Sequence, residues 1–315
     1  MQSSMPDLHA VLERPAADFA ARAEAAYLGL ALGDALGATV EFMTPREIQA
    51  QHGCHRTIRG GGWLKLKSGA VTDDTTMALA LGDAILAAGG IDAHAIGEAF
   101  DTWMRAKPVD IGNTVRRGII EFRRTGRLEA PPSEHDAGNG ACMRVLPVAL
   151  ATLGQPEDAV RAACRVQAHL THNNPLSDAG TETIVLMVQD ALRGADRDTL
   201  IRRRLDPLRA AFPLFDPAGK REENPSGFIK DTLRAVFQAL LDTDSFETCL
   251  IDVVNRGGDA DTTGAIAGML AGALYGPGSL PEPWLAALDH GARRACAVQS
   301  QALLAQACGN TPATL

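Results

Sequence analysis

The chain alternates between apolar, alanine-rich segments and shorter polar segments that contain Gly, Pro and Asp. No alternating strand pattern recurs and no strand–helix–strand rhythm is visible, so the pattern favours helices throughout. It predicts helices over residues 21–38, 73–88, 92–103, 113–124, 141–152, 156–170, 176–193, 197–211, 227–242, 244–254, 262–275 and 281–307. We therefore expect one all-α domain over residues 21–310, preceded by a flexible N-terminal extension of residues 1–20.

Two of the predicted helices carry glycines at four-residue intervals, a spacing that places each set on one helix face. The sets are Gly29, Gly33 and Gly37 in the first helix and Gly264, Gly268 and Gly272 in a late one. Because glycine inside a helix costs roughly 1 kcal/mol relative to alanine, a compensating close approach of backbones is expected. We infer that the two helices are central and tightly packed. The alternative is chance recurrence in a composition rich in Ala and Gly.

Composition narrows the class of protein. Of 315 residues, 46% are hydrophobic and only 4% aromatic, so the core must consist mainly of Ala, Leu, Val and Ile. The net charge of −8 argues against a nucleic-acid-binding protein. The cysteines form no Cys-x-x-Cys pair, no apolar signal segment begins the chain, and the apolar stretch 265–275 is too short to cross a membrane. We expect a cytoplasmic protein with reduced thiols.

Two acidic clusters stand at predicted helix N-termini: Thr72-Asp73-Asp74-Thr75, and Asp259 with Asp261 and Thr262 after two glycines. One interpretation is helix capping, which Asp and Thr commonly perform. Capping needs a single side chain, however, and packed carboxylates repel each other unless a cation neutralises them. Oxygen ligands without Cys or His suit magnesium, manganese or calcium. The two clusters together offer enough donors for two ions.

Three further acids and one tryptophan are candidates. Asp34 lies in the apolar first helix, where a buried carboxylate needs partners, and we favour structural hydrogen bonds to loop backbone. Glu41 follows that helix directly. Asp110 could belong to a site or cap a helix. For Trp63, a substrate platform, a protein-docking residue and a core residue all remain open.

Segments 29–38, 72–75 and 257–264, in this order and separation, resemble the motifs of the ADP-ribosylglycohydrolase family. Within the family, the similarity is closer to the dinitrogenase reductase-activating glycohydrolases. It rests on segments 40–44, 60–64, 108–114, 136–140 and 171–173, and it extends from about residue 22 to about residue 305. The resemblance implies an orthogonal multi-helix fold and a centre with two divalent cations, manganese or magnesium.

The resemblance also assigns site residues. The metal ligands would be Thr72, Asp73, Asp74, Asp259, Asp261 and Thr262. Positions near the metals and the substrate would be Glu41, Asp110, Asn113, Gly138, Asn139, Gly140, His172 and Phe228. Phe228 stands where the family often has tyrosine, which puts any role of that hydroxyl in doubt. Because Asp110 and Glu41 lie outside the two acidic clusters, we expect one of them, with Asp110 slightly favoured, to be the catalytic acid or base.

The implied reaction is hydrolysis of the bond between ADP-ribose and an arginine side chain of a target protein. In the closer relatives the target is dinitrogenase reductase, and removal reactivates it. The resemblance further implies association with nitrogen-signalling regulatory proteins and, through them, with an ammonium channel, which would allow peripheral membrane association. We expect a monomer. Two alternatives remain: a hydrolase for another protein or nucleic-acid adduct, and an ADP-ribose- or regulator-binding protein without turnover.

Overall fold

The computed structural model describes residues 16–310, and over this range the chain forms α-helices and no β-sheet. The helices are α1 (Ala16–Gly37), α2 (Pro45–His52), α3 (Asp73–Ala88), α4 (Ala93–Arg105), α5 (Asn113–Thr125), α6 (Gly140–Met143), α7 (Leu146–Ala151), α8 (Glu157–His169), α9 (Pro175–Leu192), α10 (Arg197–Leu200), α11 (Asp206–Ala211), α12 (Ile229–Asp242), α13 (Phe246–Val254), α14 (Ala260–Tyr275), α15 (Glu282–Ala287) and α16 (His290–Asn310). The prediction of one all-α domain is confirmed. None of the helices between residues 16 and 310 has the length and apolar character that a bilayer span requires.

Helices α1 and α14 form the centre of the fold and pack backbone against backbone. A Cβ atom added to Gly33 would lie 1.9 Å from the carbonyl oxygen of Gly264, and one added to Gly29 would lie 2.2 Å from that of Gly268. The predicted close packing through the glycine faces is therefore confirmed. Since contacts pair increasing numbers in α1 with decreasing numbers in α14, the helices are antiparallel. The C-terminus of α1 consequently meets the N-terminus of α14.

Several predicted boundaries are wrong for local reasons. The helix expected over 141–152 is two helices, α6 and α7, because Pro147 lacks a backbone N–H and occupies the first turn of α7. The helix expected over 281–307 is divided into α15 and α16, and Asp289 accepts a hydrogen bond from the Ala292 N–H at 2.9 Å at the start of α16. The helix expected over 197–211 contains a π-helical turn, Ile201–Leu205, just before Pro207.

None of the predicted helices covers segment 39–72, which we expected to be irregular from its sequence, yet it contains α2. A capping box starts this helix: the Thr44 side chain accepts from the Glu47 N–H at 3.3 Å, and Glu47 accepts from the Thr44 N–H at 2.7 Å. The first helix starts earlier than predicted. Helix α1 begins at Ala16 and thus includes residues 16–20 of the expected extension. The rest of that extension, residues 1–15, lies outside the described residues.

Candidate active site

The C-terminal end of α1, the N-terminus of α14 and the N-terminus of α3 lie together at a cavity of about 270 Å³. The carboxylates that these ends bring to the cavity, Glu41, Asp73, Asp259 and Asp261, are here called its floor. The cavity is lined by Glu41, Phe42, Asp73, Asp110, Gly112, Asn113, Thr114, Val115, Gly138, Asn139, Gly140, Met143, His172, Gly227, Asp259, Asp261 and Thr262. These include all the sequence-predicted site residues except Thr72, Asp74 and Phe228. Residues far apart in the chain therefore converge on one cavity.

Asp34 fixes the N-terminus of α3 on α1. Its carboxylate accepts the Thr72 backbone N–H at 3.0 Å, the Thr75 N–H at 3.1 Å and the Thr75 hydroxyl at 2.5 Å. Burial raises the pKa of Asp34 to about 6, although these hydrogen bonds act in the opposite direction. The expectation of a structural hydrogen-bond acceptor is confirmed. Asp34 orients the helix that carries Asp73.

Asp74 lies behind the cavity and links the two acidic clusters. Its Oδ2 accepts hydrogen bonds from the Thr72 hydroxyl at 3.2 Å and the Thr262 hydroxyl at 3.3 Å. Its Oδ1 is buried and has no hydrogen-bond partner among the described residues. A buried carboxylate oxygen without a donor is destabilising unless a cation or water completes it, so this orphaned atom fits a cation site.

Capping does not explain the other acids. In α3 the cap is the Thr72 side chain, which accepts from the Asp74 N–H at 3.4 Å. Asp259 precedes α14 without making a side-chain cap hydrogen bond. Gly112 rather than Asp110 is the N-cap residue of α5. The carboxylates of Asp259 and Asp110 therefore do not serve as helix caps.

Glu41, Asp259 and Asp261 form the tightest carboxylate group. One oxygen from each lies within 4.8 Å of the others. Two loops hold them together, because the Phe42 N–H donates to Gly258 O at 2.7 Å and the Gly258 N–H donates to Met43 O at 2.9 Å. Gly258 has a φ of +63°, and a Cβ there would lie 2.1 Å from Pro225 O, so only glycine fits.

The electrostatics of the floor are those of crowded, buried acids. Burial, then repulsion by neighbouring carboxylates, raises the pKa of Asp73 to about 7. Burial and the same repulsion raise the pKa of Glu41 to about 8, against the hydrogen bond from Trp63. Burial also raises the pKa values of Asp74, Asp259 and Asp261. An oxygen-only donor set of this charge fits hard divalent cations, which would offset the repulsion.

Another part of the cavity lining presents neutral hydrogen-bonding groups. The Asn139 side chain donates to Asp259 Oδ2 at 2.6 Å and to the Thr232 hydroxyl at 2.9 Å. Gly138 and Gly140 lie against His172, since a Cβ at either position would lie 2.9 Å from an atom of its ring. The predicted glycine–asparagine–glycine turn and His172 thus form one surface of the cavity.

The protonation of His172 follows from its neighbours. Arg144, whose nitrogens can only donate, donates from Nη2 to Thr171 Oγ1 at 2.8 Å. Thr171 Oγ1 lies 2.8 Å from His172 Nδ1 but 3.5 Å from Ala168 O, so we assign its proton to the shorter contact with Nδ1. Burial lowers the pKa of His172 to about 3. His172 is therefore neutral, with its ring proton on Nε2.

Three sequence-predicted residues lie outside the lining. Thr72 and Asp74 lie behind the floor, as described above. Phe228 is exposed and precedes α12, and its backbone pairs with Gly138 while its neighbour Gly227 lines the cavity. An aromatic contact between Phe228 and a substrate stays a prediction.

Two further residues shape the site: Trp63, whose role the sequence left open, and Arg144, which the sequence did not indicate. Trp63 donates from Nε1 to Glu41 Oε2 at 2.6 Å and is 51% exposed, so the interpretation of Trp63 as a core residue is wrong. Arg144 is fully buried, with its guanidinium 4.7 Å from the centre of the Phe100 ring and two hydrogen bonds to Gln167. No local pattern marks Arg144 or Thr171, because their role depends on contacts between segments that are distant in the chain.

A model of the ADP-ribosylglycohydrolase family matches residues 15–312. The chain belongs to the ADP-ribosylglycohydrolase family. The ADP-ribosyl-[dinitrogen reductase] glycohydrolase of Rhodospirillum rubrum is 50% identical over 288 residues, covering 91% of this chain and 96% of that protein. An ADP-ribosylarginine hydrolase of Serratia proteamaculans is 31% identical over 277 residues, covering 84% and 74%. A solved structure described as an ADP-ribosylglycohydrolase-related protein complex matches with a TM-score of 0.82 and 34% identity, covering 92% and 99%.

Proposed function

We propose that this family member is a metal-dependent hydrolase that removes ADP-ribose from a modified arginine, with dinitrogenase reductase as its target protein. The 50% identity to the Rhodospirillum rubrum enzyme over nearly the whole length supports the reaction and the target. The observation that carries the proposal is the cavity itself, which is lined by buried carboxylates and also by neutral polar groups such as Asn139 and His172. The carboxylates suit cation-assisted cleavage of the glycosidic bond, and the neutral groups suit binding of the nucleotide portion.

Two divalent cations, manganese or magnesium, would be held by Thr72, Asp73, Asp74, Asp259, Asp261 and Thr262, with Glu41 beside them. The bound ions would orient the ribose hydroxyls and lower the pKa of a bound water. The orphaned Oδ1 of Asp74 and the raised pKa values of the floor support this ligand set. Asn139 would keep Asp259 in position, because its amide donates to that carboxylate at 2.6 Å.

The protein side chains would move the proton that the reaction requires. Cleavage develops positive charge on the sugar, and the departing guanidine must gain a proton. Glu41 lies within the carboxylate group of Asp259 and Asp261 and accepts a hydrogen bond from Trp63. Asp110 lines the cavity outside that group. We therefore assign general acid–base catalysis to Asp110, and a positioning and metal-adjacent role to Glu41.

The remaining wall would bind the ADP-ribose. Asn113, Gly138 and Gly140 line the cavity, and backbone N–H groups of such a glycine turn can bind phosphate oxygens. His172 would donate from Nε2 to the substrate as a neutral group. Association with nitrogen-signalling regulatory proteins and an ammonium channel stays a prediction from the resemblance.

A panel of adducts tests the reaction. The purified protein, with manganese present, is given an arginine-linked ADP-ribosyl protein, a serine-linked ADP-ribosyl protein and an ADP-ribosylated oligonucleotide. We expect release of ADP-ribose from the arginine adduct, with much slower release from the other two. Release only from the serine or nucleic-acid adduct would reject the arginine specificity. Bound metal without release from any adduct would favour a binding protein.

A further inference from the structure

An exposed aromatic pair borders the cavity. Phe42 is 63% exposed and Trp63 is 51% exposed, and their ring centres are 5.3 Å apart with an interplanar angle of 50°. Phe42 lines the cavity, and Trp63 is hydrogen-bonded to Glu41 of its floor. Large exposed aromatics are unusual on a protein surface and are enriched at protein interfaces. The pair therefore marks the part of the surface that a bound macromolecule would cover.

The backbone positions both rings at the surface, and at Phe42 it adopts a conformation that is unfavourable in isolation. Phe42 has a φ of +61°, a region that non-glycine residues rarely adopt, and a hydrogen bond from its N–H to Gly258 O fixes it there. Trp63 lies in the turn 60–66, whose two ends are joined by backbone hydrogen bonds between Gly61 and Leu66 at 2.8 and 2.9 Å. A Cβ on Gly62 would lie 2.3 Å from Ala38 O, so the turn rests directly on the end of α1.

The segment that carries Trp63 is basic in an acidic protein. Residues 48–72 contain no Asp or Glu, whereas the whole chain has a net charge of −8. Arg59, Lys65 and Lys67 in this segment are exposed. None of these three cations forms an ion pair with a carboxylate in the described part of the chain, and Arg59 donates instead to the Thr57 hydroxyl at 2.7 Å. Their charges are thus available to a partner.

We propose that Phe42, Trp63, Arg59, Lys65 and Lys67, here called the basic aromatic rim, are the docking surface for the protein that carries the modified arginine. The inference rests on the proposed function. An arginine side chain that reaches the cavity brings its own protein surface to the mouth, where Phe42 stands. The rim fits a partner surface with an apolar contact at its centre and acidic residues around it. Charge attraction would speed association, and the aromatic pair would supply contact area.

The rim also connects docking to the active site, because Trp63 contacts both the partner and Glu41. Substitution can separate these roles. Trp63→Phe retains an aromatic surface but lacks the N–H that reaches Glu41. Trp63→Ala loses both the surface and the hydrogen bond. Loss of the hydrogen bond to Glu41 affects turnover of protein and small substrates alike. The ratio of the two activities for each variant therefore reports the docking role alone.

The test measures kcat/KM on ADP-ribosylated dinitrogenase reductase and on free ADP-ribosyl-arginine, which carries no protein surface. The double variant Lys65→Glu/Lys67→Glu is compared with Arg202→Glu/Lys220→Glu, an equal charge reversal at exposed positions that do not line the cavity. We expect the rim variant to lose about tenfold or more on the protein at low salt, with the loss shrinking as salt screens the charges. Turnover of the small substrate should stay within about twofold, and the control variant should retain both activities.

For the tryptophan variants, the ratio of kcat/KM on the protein to that on the small substrate is the readout. Trp63→Phe should keep this ratio within about threefold, whereas Trp63→Ala should lower it about tenfold. Equal losses on both substrates, or no loss on the protein from the charge reversal, would overturn the docking role while leaving the hydrolase assignment intact. Failure of the unaltered enzyme on both substrates would instead reject the proposed function, and this inference with it.

Discussion

From the crowded carboxylates of the floor we predict how Asp73 affects the free energy of unfolding of the metal-free protein. Burial and neighbouring acids raise the pKa of Asp73 from 3.8 to about 7. One pKa unit corresponds to about 1.4 kcal/mol, so ionising Asp73 in a fixed fold opposes folding by up to about 4 kcal/mol. Local relaxation and sharing of protons among the neighbouring acids reduce this value. We expect Asp73→Asn to stabilise the metal-free protein by about 1–3 kcal/mol at neutral pH.

The sign of the pH dependence follows from the raised pKa. The unfolded Asp73 ionises near pH 4 and the folded one only near pH 7, so the folded state of the metal-free protein loses stability as pH rises between these values. The difference between Asp73→Asn and the unaltered protein should therefore be larger at about pH 7.5 than at about pH 5. With saturating manganese at about pH 7.5, the unaltered protein should become more stable than Asp73→Asn. Manganese binding stabilises the folded state, and only the unaltered protein keeps the Asp73 carboxylate as a metal ligand.

Urea unfolding in chelator and in manganese, at both pH values, measures these differences. Asp158→Asn, at an exposed position that does not line the cavity, serves as the matched control and should change stability by less than about 0.5 kcal/mol. A metal-free Asp73→Asn protein that is less stable than the unaltered one at neutral pH would refute the reasoning. Equal stability in chelator and in manganese would show that the cluster does not hold a cation.

Three further substitutions test separate parts of the account. Thr171→Val should lower the free energy of unfolding by about 1–3 kcal/mol, and ¹⁵N NMR should show a mixture of His172 tautomers in place of the Nε2-protonated form. Thr171→Ser should restore both the stability and the tautomer. An unchanged tautomer in Thr171→Val would contradict the hydrogen-bond assignment. Gly33→Ala should lower the free energy of unfolding by about 2 kcal/mol or more, because its Cβ would meet a carbonyl oxygen at 1.9 Å, whereas Gly309→Ala, with open space around it, should not destabilise. Asp110→Asn should lower turnover by about 100-fold or more while metal-induced thermal stabilisation persists, and full turnover would transfer the acid–base role elsewhere.

Local patterns were sufficient for much of the fold. The glycine spacing predicted the close pairing of the first and late helices, because a four-residue repeat defines one face whatever surrounds it. It did not predict the consequence, that antiparallel pairing brings Glu41 to Asp259. The helix breaks at Pro147 and at the π-helical turn before Pro207 had visible signals, since proline removes a backbone donor. The capping box at Thr44 was visible too, in a segment expected to be irregular.

The candidate site was predictable to the extent that its chemistry lies in short motifs. Asp73, Asp259 and Asp261 stand in clusters whose composition alone suggests oxygen-ligated cations. In contrast, the neutral state of His172 depends on burial, and its tautomer depends on Thr171, which accepts a hydrogen bond from Arg144 in a distant segment. The exposure of Trp63 likewise depends on the turn 60–66 resting on the end of α1. Such properties arise from contacts between distant segments, and no spacing in the chain encodes them.

The central claim is that the carboxylate floor binds the cations used for hydrolysis. The most direct test incubates the protein with arginine-ADP-ribosylated dinitrogenase reductase and follows release of ADP-ribose, with manganese, with chelator, and with Asp259→Ala beside the unaltered enzyme. The account predicts release that requires manganese, stops in chelator and is abolished by Asp259→Ala. Release that continues undiminished in chelator or in the Asp259→Ala variant would contradict it.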